Sequence, residues 1–201
     1  ISIRLVGSEM CIRDRLSSCP CRLQRSGNKM RNTLVIYSSV DGHTQKISSK
    51  IAEHIKSDVN VDLASLVDAQ SLSLKNYQQV IIGASIRYGN YRKELFEFIE
   101  QNLDELSSKD NAFFSVNVVA RKPEKNTSDT NPYVAKFLKA TKWEPNKIDV
   151  FAGVVDYPTY NFFDRFMIRL IMWITNGPTD AKARFEFTDW KRVEDFSKSL
   201  I

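Results

Sequence analysis

The chain has 201 residues, of which 42% are hydrophobic and 26% charged. These values lie near the average of soluble globular proteins, exclude a disordered, collagen-like or polytopic membrane protein, and suit one domain with its own core. The net charge of +5 is uneven: residues 1–29 hold six Lys/Arg and two acids, a net of +4, which leaves +1 from Met30 onward. A nearly neutral body argues against nucleic acid as a partner.

The first segment stands apart from the rest. All three cysteines, Cys11, Cys19 and Cys21, lie in it. Cys19 and Cys21 are one residue apart with no second ligand pair nearby, which is not a zinc pattern, and no metal site is expected. Without cysteines the body needs no oxidising compartment. The segment has no apolar stretch of secretory type, and its poor amphipathic pattern argues against an organelle transit peptide. Residues 8–15 resemble a translated sequencing-adapter artefact. Met30 is therefore expected to be the native start, and residues 1–29 to be disordered and without function.

From Met30 short apolar runs alternate with amphipathic stretches. Residues 33–38 form a continuous β-branched and aromatic run, as in a strand buried on both faces. Residues 44–55 place Ile47, Ile51, Ala52 and Ile55 at helical spacing, with Lys46, Lys50 and Glu53 outside. Residues 59–63 alternate like a strand, and residues 80–84 are a second buried run followed by a helix carrying Leu95, Phe96, Phe98, Ile99 and Leu103. Strands over 112–120 and 150–155 flank a helix at 133–141, and Thr188-Asp189 caps a closing helix through Leu200. Five strands alternating with helices predict an α/β, doubly wound, five-stranded parallel sheet covered on both sides.

Residues 157–180 break that rhythm, being far longer than an ordinary strand-to-helix connection. Within them Phe162–Ile174 is almost wholly apolar, with Asn161, Arg165 and Arg169 recurring every four residues. The stretch is shorter than the ~20 residues a transmembrane helix needs. It reads either as a helix buried against the sheet or as an apolar helical insertion whose wide face meets lipid or a lipophilic substrate. That face would comprise Phe162, Phe163, Phe166, Met167, Leu170, Ile171 and Ile174.

Ligands of such sheets bind at the carboxyl ends of the strands. Three loops reach that edge. The first, Ser38, Ser39, Val40, Asp41, Gly42, His43 and Thr44, offers hydroxyls, backbone amides and a helix dipole to a phosphate. It lacks the spacing of a nucleotide-hydrolysing or dinucleotide-binding loop, and His43 taken alone reads as solvent-facing. The second runs from Gly83 through Ser85, Ile86, Arg87, Tyr88 and Gly89 to Tyr91. Its glycines permit close approach of a flat ligand, and Tyr88 and Tyr91 can lie against the ligand's rings. The third, Ser115, Val116, Asn117, Val118 and Ala120 leading to Pro123, could meet a heterocycle edge through Asn117 and backbone amides. Arg121, Lys122 and Lys125 beside it read as a solvated cluster or an anion site.

Together, the hydroxyl-rich first loop and the Gly-x-Ser-x-Arg-Tyr-Gly second loop resemble flavodoxin-like FMN proteins. The stretches 82–89, 115–125 and 160–172 are similar to the flavodoxin-like, menaquinone-dependent protoporphyrinogen IX dehydrogenase family of haem biosynthesis, and the resemblance spans nearly all of 30–201. It implies one non-covalent FMN held by the three loops, a porphyrinogen substrate oxidised by six electrons in three flavin cycles, and menaquinone or ubiquinone as acceptor. It also implies a peripheral position on the cytoplasmic face of the inner (plasma) membrane, through about 162–174, and leaves a homo-oligomer open. Arg87, Arg121 and Lys122 are the candidates for the substrate propionates. The flavin would carry the redox chemistry, so no catalytic side chain is expected. A flavodoxin-type electron carrier fits less well, since such carriers are strongly acidic; an NAD(P)H:quinone reductase is the other alternative. A signalling receiver domain is excluded, because Ser38-Ser39 and Ala84-Ser85 stand where it needs acids.

Overall fold

The computed structural model describes residues 30–159, 162–174 and 183–201, together with Gly177 and Asp180. The expectation for residues 1–29, and the part of the insertion from 175 to 182 apart from Gly177 and Asp180, lie outside the described residues.

Five parallel strands, β1 (Asn32–Ser38), β2 (Asn60–Ser65), β3 (Gln79–Ser85), β4 (Asp110–Asn117) and β5 (Lys147–Ala152), form one sheet in the order β2-β1-β3-β4-β5. Alternating side chains divide the core between its two faces. Leu34, Ile36, Val80, Ile82 and Phe113 face one side, where they meet α3 (Lys93–Gln101), α4 (Leu103–Ser107) and α5 (Pro132–Ala140) through Leu95, Phe98, Leu106 and Phe137. Val35, Ile81, Ala112, Phe114 and Phe151 face the other, against α1 (His43–Ile55) and α7 (Trp190–Ser199) through Ile47, Ile51, Val193 and Phe196. A short helix, α2 (Leu66–Ala69), follows β2. β1 pairs with β2 on one side and with β3 on the other. Crossovers leaving β1 and β3 therefore diverge, opening a crevice at their carboxyl ends.

Two expected boundaries move. The apolar run at 112–120 leaves the sheet at Asn117, whose side-chain oxygen accepts from the backbone N–H of Ala120 at 3.0 Å and turns Val118–Arg121 into a 3-10 helix. The run at 150–155 also breaks. Gly153 separates β5 from a three-residue strand, β6 (Val154–Asp156), which pairs antiparallel with β7 (Arg184–Glu186). This ribbon was not legible as strands. It is the neck through which the insertion leaves and rejoins the domain, and the insertion contains the expected apolar helix, α6 (Phe162–Ile174).

Helix α6 has one side packed on the protein and one side exposed. Met172 is buried with Val155 and Tyr157, and Ile168 packs on the same cluster. On the far side Phe162, Phe166, Leu170 and Trp173, spaced for a single helical stripe, are 87, 59, 38 and 70% exposed. Met167, expected on that outer face, instead lines the cavity described below. The side chains of Phe163, Ile171 and Ile174 lie outside the described residues.

Candidate functional site

At the carboxyl ends of β1, β3 and β4 lies a cavity of about 280 Å³, walled by the three predicted loops, by Gly153–Val155 and by the inner edge of α6. Its apolar lining with a few convergent polar groups is the usual make-up of a small-ligand site.

The first loop forms the polar end. Gly42 precedes α1 with φ +77°, a left-handed conformation that suits glycine, and no side chain caps the helix. By contrast Ser65, Asn131 and Asp189 cap α2, α5 and α7 with their side chains, and α3 and α4, which have no side-chain cap, carry acids in their first turns. The first turn of α1 also lacks an acid, so its leading N–H groups and its positive dipole end are left for an external acceptor. Around them the hydroxyls of Ser38, Ser39 and Thr44 and Nδ1 of His43 are buried with no hydrogen-bond partner among the described residues. Buried polar atoms without partners cost stability, and a run of them at one helix start points to a ligand that satisfies them.

His43 departs from its expected solvent exposure: it is 7% exposed. Its Nε2 lies 2.6 Å from Thr188 Oγ1, which donates to the carbonyl of Ala152 at 2.7 Å. Burial chiefly, then the charges of Lys46 and Arg184, hold its pKa below the ordinary value against the opposing pull of Glu186.

The second loop forms one lip. Arg87 and Asn90 exchange backbone hydrogen bonds at 3.0 and 3.1 Å. Between them Tyr88 (φ +50°) and Gly89 (φ +75°) make a two-residue turn of type I′ character. A tyrosine at positive φ is uncommon, and this one is 59% exposed at the cavity edge. Arg87 pairs with Asp41 of the first loop at 3.2 Å and lies 5.5 Å from the Tyr88 ring centroid. Ser85 donates to the Ser38 carbonyl at 3.1 Å, tying the two strand ends together.

The third loop supplies the opposite wall. Val116, Asn117 and Val118 line the cavity, and Arg121, Lys122 and Lys125 give it a basic side facing Tyr133. Asn117 is fixed from below, since its amide donates to Ser115 Oγ at 3.1 Å and its backbone carbonyl accepts from Gly153 at 3.2 Å.

Thus Ser39, Asp41, His43, Thr44, Ser85, Ile86, Arg87, Tyr88, Gly89, Val116, Asn117, Val118, Arg121 and Lys122 come together around one space. Ser38 and Gly42 stand just behind it. Others do not reach it. Tyr91 was expected against a ligand's rings, but its ring is buried among Phe96, Phe113 and Phe137 and its hydroxyl donates to Ser115 at 2.8 Å. Ser115 is occupied beneath the wall by that bond, Ala120 packs with Val134 and Val150, and Val40 is exposed outside the cavity. Gly83 makes room for protein rather than ligand: a Cβ there would run into the Phe114 ring. Gly153, Val155, Met167, Ile168 and Met172 line the cavity unanticipated. Gly153 falls inside the run predicted as a single strand, 150–155, and only the end of β5 at Ala152 puts it at the sheet edge.

The flavodoxin domain family matches residues 34–182. Over 169 residues the chain is 42% identical to the protoporphyrinogen IX dehydrogenase [quinone] of Escherichia coli K12, covering 84% of this chain and 93% of that protein. The protein of the same name from Leishmania major is 43% identical, with 83% of this chain and 73% of that one covered. Oxidised flavodoxin 1 from Bacillus cereus superposes with a TM-score of 0.47 at 15% identity, over 84% of this chain and 96% of that one. The strand order, the family match and the identity to these relatives agree: the chain belongs to the flavodoxin domain family and, within it, to the family of the quinone-dependent protoporphyrinogen IX dehydrogenases.

Proposed function

We propose that this chain is an FMN-dependent oxidoreductase that converts protoporphyrinogen IX to protoporphyrin IX and passes the electrons to a quinone at a membrane surface. The observation that carries the flavin is the uncapped start of α1 ringed by the unpartnered hydroxyls of Ser38, Ser39 and Thr44, beside an apolar cavity. The relatives' names supply the substrate and the acceptor class. Ser39, Thr44 and the α1 N–H groups hold the phosphate. Tyr88, Asn117 and Val118, which line the cavity, would hold the ring system. Bound FMN supplies two-electron redox chemistry, used three times for the six electrons that separate porphyrinogen from porphyrin.

The chain's own residues do the rest. Arg121, Lys122 and Lys125 offer the propionates charge-assisted hydrogen bonds. Met167, Ile168 and Met172 exclude water from that side of the cavity. No helix among the described residues is long and apolar enough to cross a membrane. The exposed stripe of α6, with exposed Arg169 on the same helix, suits adsorption to an anionic bilayer, where a lipophilic quinone such as menaquinone or ubiquinone is met.

Anaerobic spectroscopy tests this. Protoporphyrinogen IX bleaches the bound flavin, NAD(P)H does not, and added quinone restores the colour. Bleaching by NAD(P)H alone would make the protein an NAD(P)H:quinone reductase, and bleaching by neither would leave an electron carrier.

A further inference from the structure

We propose that His43 couples flavin binding to a proton: FMN takes up one proton when its phosphate docks at the start of α1, and its affinity falls as pH rises. The inference rests on the phosphate site argued above and adds a titration to it.

The tautomer follows from the hydrogen bonds. The Thr188 hydroxyl has one hydrogen, which it donates to the Ala152 carbonyl at 2.7 Å. It therefore faces His43 Nε2, 2.6 Å away, with a lone pair, and Nε2 must carry the imidazole proton. In a neutral ring Nδ1 is then a bare acceptor. That atom is buried without a partner, as are the hydroxyls of Ser38, Ser39 and Thr44, and His43 and Thr44 both line the cavity. The hydroxyls of Ser39 and Thr44, which line the cavity, and the α1 N–H groups can donate to a phosphate dianion, which offers acceptors alone. Nδ1, a buried acceptor on a residue that lines the same cavity, is the mismatch for such a ligand. A proton on Nδ1 removes it, and the complex then holds one proton more than its separated parts.

The groups around His43 keep that proton away until the phosphate arrives. Lys46 on its own helix and Arg184 on β7 oppose a positive ring, and Glu186 on β7 favours one. Trp190 of α7 presents an uncharged edge contact at 6.1 Å, and Asp41 and Arg87 of the neighbouring loops are paired with each other. Burial is the largest part of the opposition and holds the pKa below its ordinary value, so the flavin-free ring is neutral near pH 7. A phosphate dianion beside it reverses the balance.

The full chain stripped of flavin is titrated with FMN and with riboflavin between about pH 6.5 and 8.5, above the second phosphate ionisation near 6. The expected result is an FMN Kd that rises by up to about tenfold per pH unit, a riboflavin Kd that stays flat, and loss of the FMN slope in His43→Gln. His43 and His54 are the two histidines of the sequence. Proton NMR of the unsubstituted protein is expected to show the His43 ring titrating at higher pH with FMN than without it. If FMN binds more tightly than riboflavin but equally at every pH, or His43 titrates alike in both forms, the coupling is overturned and the phosphate site stands. If FMN binds no better than riboflavin, both are overturned.

Discussion

Replacing Thr44 by valine, alone and together with Ser39→Ala, separates a ligand site from a badly satisfied core by the sign of two effects. Thr44 is 1% exposed, its Oγ1 has no partner among the described residues, and it sits in the first turn of α1. Valine keeps the β-branched shape, so packing and helix propensity hardly change. In the flavin-free protein the substitution removes a buried hydroxyl that pays for desolvation without a hydrogen bond, and stability should be unchanged or higher by up to about 1 kcal/mol. For a domain of this size that is a rise in Tm of about 2–4 °C. With FMN the sign reverses. Each hydroxyl is expected to give the phosphate a charge-assisted hydrogen bond of about 1–2 kcal/mol, so the double variant should bind FMN about 30- to 800-fold more weakly. Differential scanning fluorimetry of the flavin-free protein and fluorescence titration with FMN read the two effects. A flavin-free protein clearly destabilised by Thr44→Val, with FMN affinity intact, would show that the hydroxyl serves the fold and that the phosphate binds elsewhere.

Gly83→Ala drives a methyl into the Phe114 ring, which packs against Phe151 and Phe196. Overpacking of this kind costs about 1–3 kcal/mol, and Phe114→Leu in the same chain should recover part of it; a melting temperature equal to that of the unsubstituted protein would refute the packing. Phe166→Glu with Leu170→Glu, both on the exposed stripe of α6, should release the protein from anionic liposomes in a flotation assay. The pair should slow turnover with a long-tailed quinone far more than with a short-chain one, while FMN stays bound; equal slowing with loss of flavin would mean that the stripe is core. The flavin-free protein should also gain stability as pH rises towards the ordinary histidine value of about 6.5, and level off above it. His43 has a lowered pKa when folded, first through burial, so the unfolded chain holds more protons below that pH. Urea denaturation at pH 5.5 and 7 measures the slope, and His43→Gln should abolish it.

Those parts of the fold that repeat with a fixed period were legible in the sequence. The runs at 33–38 and 80–84 are buried on both faces because they are central parallel strands, and Ile47, Ile51 and Ile55 declare the inner face of α1. The short ribbon of β6 and β7 was not legible, since three residues carry no period and pairing across the insertion is a tertiary event. Among site residues, those beside strand ends were found because their place follows from the topology. Tyr91 and Gly83 misled for a common reason: residue type says what a side chain can do, and the register decides which way it points. Tyr91 turns into the aromatic cluster and Gly83 yields to Phe114. His43 was misjudged because its partner, Thr188, lies 145 residues away.

The central claim is that electrons leave protoporphyrinogen IX and reach a quinone through a flavin held by this chain. Its most direct test counts both ends of that path. Anaerobic incubation of the FMN-loaded protein with protoporphyrinogen IX and quinone should yield fluorescent porphyrin and quinol in a ratio of one to three, and neither when FMN is omitted. Porphyrin formed without quinol, or quinol formed only when NAD(P)H is added, would contradict it.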